Sequence, residues 1–312
     1  MATTGSLLES WLSRSQRATL KRTGEQLRNV WSAIRNYPTA LVSLGLLVAF
    51  VLIAVFAPLI APYNPDTIFK VQSTGLPLAL EGPSLAHPFG TTHLGRDVFS
   101  QWVYGSRVSL LVGLLSGFSV MIVGTSVGLI AGYYKGTVDL VVMRVVDVLY
   151  GIPQTPLVLV IAMFMGASVW NVVVAMTLVL WRTMARIIRS QTLSLSERPF
   201  VKSARASGAS DFRIIFYHIA PNILPLMFIQ TTITVSGAIV LEAGISFLGL
   251  GAQDMTSWGT MLQLAFSTGA IREAWWWVLP PGFSITLLVL AFFYMSRALE
   301  EITNPEVDTE VI

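Results

Sequence analysis

The sequence predicts an all-α polytopic membrane protein with six transmembrane helices and an extracytoplasmic lobe after the first of them. Of its 312 residues, 54% are hydrophobic and only 12% are charged, whereas a soluble domain carries about a quarter charged residues. The apolar runs are close in length to the roughly 20 residues that one helix needs to cross a bilayer. The chain has no cysteine, which excludes thiol catalysis, cysteine-ligated metals and disulfides.

The first segment, residues 1–38, is basic and lacks the hydrophobic region of a secretory signal. Its apolar residues fall roughly on one helical side, which favours a helix on the inner leaflet, with a plain basic tail as the alternative. Residues 39–61 carry no charge and predict the first transmembrane helix. Residues 62–107 are polar and rich in proline and glycine, and we expect them to form the extracytoplasmic lobe.

A permease-like core of five further helices is expected over residues 108–299, followed by a tail at 300–312. Its helices are predicted at residues 108–133, 141–165, 169–188, 222–248 and 276–299. Glycines in the first of these predict close approach to neighbouring helices; they are Gly113, Gly117, Gly124 and Gly128. Pro153 and Pro156 predict a kink in the second.

The charge distribution predicts the orientation in the membrane. Residues 1–38 hold six Lys/Arg and residues 181–213 hold seven, against three in the 62–107 lobe. By the positive-inside rule, both termini and the 190–221 loop are expected to be cytoplasmic.

The 190–221 loop carries clear helix-capping signals. Ser196 is expected to cap a short helix with Pro199 in its first turn. Gly208 is expected to end that helix in the left-handed conformation. Ser210 then caps a second helix, which Pro221 stops. The apolar face of the second helix is predicted at Phe212, Ile215, Phe216 and Ile219.

No catalytic constellation is visible, so the sequence does not predict an enzyme. It lacks the HExxH, GxSxG and P-loop motifs, and its three histidines are too scattered for a metal site. Arg144 and Asp147 favour a mutually neutralising pair over a pathway role. Glu242 has no obvious partner on its own helix and either lines a path or reaches the headgroups. Gln230, Thr234 and Glu242 are the candidates for a translocation path in the most polar helix.

Three passages carry a resemblance to a known family. FVKSARASGASDFRIIFYHIAPN resembles the EAA loop of ABC-importer membrane subunits, with Gly208 and Pro221 at the family spacing. Lys202 and Ser203 stand where Glu and Ala are usual. HPFGTTHLGRDVFSQWVYGSRVSLLVG and ISFLGLGAQDMTSWGTML are similar to the C-type permease of dipeptide, oligopeptide and nickel importers.

The resemblance implies a type I ABC importer (MetI-like) permease fold in a bacterial or archaeal cytoplasmic membrane. It implies a homologous B-type permease, two cytoplasmic ATPase subunits that bind ATP and Mg²⁺, and an extracytoplasmic substrate-binding protein as partners, with no cofactor on this chain and no nucleic acid. The EAA loop would dock on the ATPase as a coupling helix. The docking residues it implies are Phe200, Val201, Lys202, Ala204, Arg205, Gly208 and Ala209.

The leading hypothesis is therefore a membrane subunit of an ATP-driven importer of dipeptides or oligopeptides. The alternative is a self-contained secondary transporter or channel that uses Glu242 or Asp147 for proton coupling. It predicts inverted repeats with broken helices at matching positions, which the sequence does not display.

Overall fold

A computed structural model describes residues 38–252 and 255–303. The predicted basic segment before Pro38 and the tail after Thr303 lie outside these residues. Over the described part the structure is mainly helical, with eleven α-helices and one long non-helical connection, residues 61–97, between the second and third of them. They are α1 Pro38–Val55, α2 Ala57–Ile60, α3 Val98–Tyr134, α4 Gly136–Tyr150, α5 Gln154–Met165, α6 Val169–Ser196, α7 Pro199–Ala206, α8 Asp211–Arg213, α9 Ala220–Phe247, α10 Trp258–Ser267 and α11 Trp275–Thr303.

Within residues 38–252 and 255–303, five helical segments are long and apolar enough to cross a membrane, and the bent pair α4–α5 makes a sixth if it counts as one span. The predicted kink is a sharp break, since α4 and α5 meet at 91°. Pro153 is the N-cap residue of α5, and as a proline it has no backbone N–H with which to continue the hydrogen bonds of α4. The guanidinium of Arg182 in α6 donates to the carbonyl of Leu149 in the last turn of α4, which ties α6 to the chain next to the break.

Helix α3 is the centre of the fold, and its glycines explain why. It packs mainly against α6 and α9. A Cβ on Gly128 would lie 2.7 Å from the carbonyl oxygen of Ala185 in α6, and one on Gly113 would lie 2.5 Å from Ile239 in α9. The predicted close approach is therefore confirmed, with one half of the stripe against α9 and the other half against α6.

The lobe is shorter than predicted, because α3 begins at Val98 rather than at residue 108. Asp97 caps this helix by accepting a hydrogen bond from the backbone N–H of Ser100, at 2.7 Å. Its other carboxylate oxygen lies 2.9 Å from Nδ1 of His87. The lobe is thereby fixed to the first turn of α3, at what we call the lobe end of the bundle.

Candidate functional site

The opposite end of the bundle carries α7, where the resemblance predicts the coupling helix. Ser196 does not cap α7 as predicted. It is the last residue of α6, and its hydroxyl donates to the carbonyl of Leu193. Arg198 occupies the cap position with extended backbone, because the residue before a proline is disfavoured in the helical region. The helix therefore starts from the Pro199 signal alone, without a capping side chain.

The end of α7 follows the prediction. Gly208 has a φ of 79°, which is the left-handed conformation that glycine adopts without steric cost. The N–H of Ala209 donates to the carbonyl of Ala204, and the N–H of Gly208 donates to that of Arg205. This pair of bonds is a Schellman motif, which satisfies the last carbonyls of the helix.

The two faces of α7 have different surroundings. Val201 is completely buried and packs against Ile214 and Ile215 of its own chain. Phe200 remains 42% exposed, and Lys202 also points outward. Val201 therefore anchors α7 to the bundle, and its predicted contact with a partner is wrong, because a side chain without exposed surface cannot reach another chain. Ala209 packs partly against the same apolar cluster, Ala204 is half-buried, and Arg205 and Gly208 are exposed.

Glu197 joins α7 to the turn between α3 and α4. Its carboxylate forms ion pairs with Lys135 in that turn and with Lys202 in α7, the latter at 3.1 Å. The ammonium groups of Lys135 and Lys202 lower the pKa of the Glu197 carboxyl to about 2. Lys135 itself has a φ of 56°, which is uncommon for a residue with a side chain. Lys202, which stands where the family pattern has Glu, thus has an acidic partner within its own chain.

A second link joins the end of α3 to the segment that follows α7. The hydroxyl of Tyr133 donates to a carboxylate oxygen of Asp211 at 2.6 Å. The guanidinium of Arg205 lies over the Tyr133 ring, 5.4 Å from its centre. Ser210 caps the following helix as predicted, accepting from the backbone N–H of Arg213. α7 is therefore held to α3 by polar contacts on both of its sides.

The predicted apolar face after Ser210 is only half correct. Ile215 and Ile219 are buried, but Phe212 and Phe216 are exposed and contact each other with tilted rings whose centres are 4.5 Å apart. Residues 214–219 form a π-helical segment, whose wider turn shifts side chains away from the 3.6-residue period.

Pro221 does not stop the helix as predicted. It lies at the start of α9, which continues directly from the π-helical segment. The backbone N–H of Ala220 bonds to the carbonyl of Ile215, five residues back. This wider turn accommodates a proline that would break a regular helix. The chain is consequently one continuous rod from Asp211 to Phe247.

The polar residues of α9 bond mostly within their own helix. The hydroxyl of Thr234 donates to the carbonyl of Gln230, and that of Thr231 to the carbonyl of Met227. Gln230 and Thr234 are both half-buried. Both therefore remain candidates for a path that a second subunit would complete.

Glu242 is buried at the lobe end, with 2% of its surface exposed. Its carboxylate accepts hydrogen bonds from the hydroxyls of Ser246 at 2.7 Å and Ser109 at 3.2 Å, and Ser257 also bonds to it. The expectation that it lacks a partner on its own helix is wrong, because Ser246 lies one turn away. The three serines come from α9, α3 and the cap of α10, so the carboxylate joins three elements.

Asp147 pairs with Arg186 of α6 at 2.7 Å, so the predicted pair with Arg144 is wrong. The guanidinium of Arg186 also lies over the ring of Tyr150, 4.1 Å from its centre. Asp139, earlier in α4, forms a bidentate pair with Arg189. These ion pairs between α4 and α6 orient Asp147 toward α6. The spacing of residues along α4 alone could not reveal this orientation.

Two family models match the chain. The model described as binding-protein-dependent transport system inner membrane component matches residues 124–307. The model described as N-terminal TM domain of oligopeptide transport permease C matches residues 25–83.

Several curated proteins are similar over most of their length. The dipeptide transport system permease protein DppC of Escherichia coli (strain K12) is 40% identical over 90% of this chain and 93% of its own. DppC of Alkalihalophilus pseudofirmus is 38% identical over 89% and 90%. The glutathione transport system permease protein GsiD of Salmonella typhimurium is 38% identical over 90% of both chains.

A solved structure shares the fold. A chain of the inward-facing MetNI methionine ABC transporter aligns with a TM-score of 0.53 and 20% identity, over 65% of this chain and 97% of that one. At this identity the likeness concerns the fold alone.

Proposed function

The chain belongs to the family of binding-protein-dependent transport system inner membrane components, and from that premise we propose that it imports short peptides. As a member of the family it is a multi-pass membrane permease subunit of an ABC importer, and ATP hydrolysis belongs to separate ATPase subunits. The alternative of a self-contained secondary transporter has no support, because the matched relatives are permease subunits over about 90% of the chain.

The proposed substrates are dipeptides and related short peptides. The observation that carries this proposal is the similarity, at 34–40% identity, to permeases of dipeptide transport systems in three organisms. GsiD, a permease of a glutathione transport system, is similar to almost the same extent. Glutathione is itself a tripeptide, so a path for short peptides fits both groups of relatives.

The proposed partners are a homologous permease, two ATPase subunits that bind ATP and Mg²⁺, and an extracytoplasmic binding protein. α7 docks on the ATPase through its outward face, which carries Phe200 and Lys202. Its inward face, at Val201, rests on the bundle, and Glu197 and Tyr133 link it to the end of α3. A push on α7 therefore moves α3, the helix against which α6 and α9 pack.

The proposed orientation has both termini and α7 in the cytoplasm and the lobe outside. It rests on the excess of Lys/Arg at the α7 end. Delivery of substrate by the binding protein then takes place at the lobe end.

The test is reconstitution of the permease pair with its ATPases in proteoliposomes, with the substrate-loaded binding protein outside and ATP inside. We expect uptake of radiolabelled alanyl-alanine that requires ATP, and competition by unlabelled dipeptide with glutathione as the comparison. Uptake driven by a proton gradient without ATP would refute the importer mechanism. ATP-driven uptake of another solute, with none of any peptide, would refute the substrate class.

A further inference from the structure

A polar cavity at the lobe end has no role in the coupling described above. Its volume is about 410 Å³, within the roughly 300–1,000 Å³ typical of sites for small molecules. The end of the lobe, the first turns of α3, the end of α9 and α10 form its walls. The polar residues that line it include Arg96, Gln101, Tyr104, Arg107, Thr256 and Gln263.

Gln101 is the most informative residue of this cavity. Only 2% of its surface is exposed, and its amide nitrogen donates to the carbonyl of Pro65 at 3.3 Å. Its amide oxygen, Oε1, is buried and has no hydrogen-bond partner among the described residues. Leaving such an acceptor unpaired is unfavourable, because it has lost its hydrogen bonds to water and gained none in return. A ligand that donates an N–H at this point removes that cost.

The two arginines of the wall differ in how many of their guanidinium nitrogens already have a partner. Arg107 already makes two hydrogen bonds within the chain, because its Nε and Nη2 donate to the carbonyls of Ala54 and Val55 at the end of α1. Arg96 has one ion pair, 3.2 Å from Asp66, whose side chain is 72% exposed. The Nε of Arg96 is buried and has no partner in residues 38–252 and 255–303. An exposed ion pair of this kind contributes little, so Arg96 can exchange it for a carboxylate that binds two nitrogens at once.

The charges on the wall favour an anionic group. Asp66 is the one carboxylate in the described lining, against two guanidinium groups. Glu242 lies behind Ser246, and its carboxylate is already bonded to serine hydroxyls. Both side chains line the cavity, so a ligand with a carboxylate and an N–H group would satisfy the unpaired guanidinium nitrogen and amide oxygen once the side chains turn these atoms toward it.

We propose that this cavity binds the carboxyl-terminal end of a short peptide, with the terminal carboxylate on Arg96 and the last amide N–H on Oε1 of Gln101. The inference rests on the proposed peptide import and adds a first receiving site on this subunit. A free α-carboxylate next to an amide N–H is common to all linear peptides. The site therefore recognises the class of substrate and not its side chains.

The absence of cysteine from the chain allows a direct test by thiol protection in the complete complex. The reporter variant is Gln263→Cys, on the cavity wall in α10. The matched control is Ser267→Cys, exposed on the same helix and outside the lining. The complex is assembled without binding protein and treated with a charged methanethiosulfonate reagent, and mass spectrometry of this chain gives the labelling rate.

We expect alanyl-alanine, at ten times its half-protecting concentration, to slow labelling of the reporter about tenfold by simple occupancy. It should leave the Ser267→Cys rate unchanged. Alanyl-alanine amide, which lacks the carboxylate, should protect weakly at the same concentration. Adding Arg96→Gln should abolish protection by the dipeptide, Arg96→Lys should restore part of it, and Gln101→Met should weaken it.

Labelling that alanyl-alanine does not slow refutes the site, as does equal protection by the amide or equal protection after Arg96→Gln. Uptake assays on the same reporter complex, with its binding protein restored, separate this inference from the function on which it rests. Peptide uptake without protection overturns the cavity site alone. Protection without any peptide uptake supports the site and contradicts the proposed function.

Discussion

Phe200 and Val201 are neighbours on α7 with opposite roles, and truncating each of them tests the orientation of the helix. Phe200 is 42% exposed, and a phenylalanine side chain has about 200 Å² of surface. A docked partner can therefore cover roughly 80 Å², which at about 25 cal/mol per Å² corresponds to about 2 kcal/mol. We expect Phe200→Ala to raise the Kd for the ATPase subunit about 30-fold.

Val201→Ala is the matched variant, because Val201 has no exposed surface. Its truncation leaves a small cavity and should destabilise the permease by about 1–2 kcal/mol, seen as a lower melting temperature. Both quantities are measured on the permease pair in nanodiscs, with fluorescently labelled ATPase for the Kd. Wild-type affinity in Phe200→Ala would refute the outward docking face. Weakened binding in Val201→Ala, with an unchanged melting temperature, would refute the inward anchor.

Three further predictions concern the conformations and contacts on which the proposed coupling depends. At Gly208 an added Cβ meets no atom within 4 Å, so a substitution there is limited only by the backbone φ of 79°. Gly208→Asn should keep ATP-driven uptake. Gly208→Val should lose most of the uptake, because a β-branched residue is strained at this φ by about 1–2 kcal/mol or more. Equal uptake by the two variants would contradict the left-handed cap. Gly128→Ala should lower the melting temperature of the permease, because its Cβ would lie 2.7 Å from the carbonyl oxygen of Ala185. The control Gly45→Ala should leave the melting temperature unchanged, because its Cβ would meet no atom within 4 Å. Similar melting temperatures for the two variants would exclude the close approach of α3 and α6. The Glu197 carboxyl has its pKa lowered from 4.5 to about 2, so its link to α7 should be complete above pH 4.5 and disappear as the pH falls toward 2. A spin label on α7 should stay immobile from pH 8 to 5, unlike in Glu197→Gln, and a mobility transition near pH 6 would be inconsistent with this link.

Capping signals were a reliable guide only where no tertiary contact overrides them. Gly208 and Ser210 act as predicted, because a left-handed turn and a hydroxyl at a helix start act on the nearest residues. Ser196 was misassigned because α6 continues eight residues past the predicted end at residue 188. The extension packs Arg189 against Gly128 and Thr192 against Gly132 of α3, and this tertiary contact is stronger than a local capping preference.

Ion pairs were the least predictable part of the candidate site. Asp147 lies three residues from Arg144, but it pairs with Arg186, 39 residues away. Lys202 pairs with Glu197 in the link between α6 and α7. A charge on a helix pairs with whichever opposite charge the neighbouring helix presents, and the rotation of that helix depends on its packing.

The sequence by itself determined the membrane class, the approximate positions of the spans, the glycine contacts of α3 and the location of the loop that carries α7. Each of these follows from hydrophobicity, residue size or backbone preference, which act over one or two helical turns. Only the tertiary structure decided that Val201 faces inward and Phe200 outward, that Glu242 is held by serines of three elements, and that Gln101 lines a cavity with an unpaired oxygen. These features depend on which helix faces meet, and packing across the whole bundle sets that arrangement.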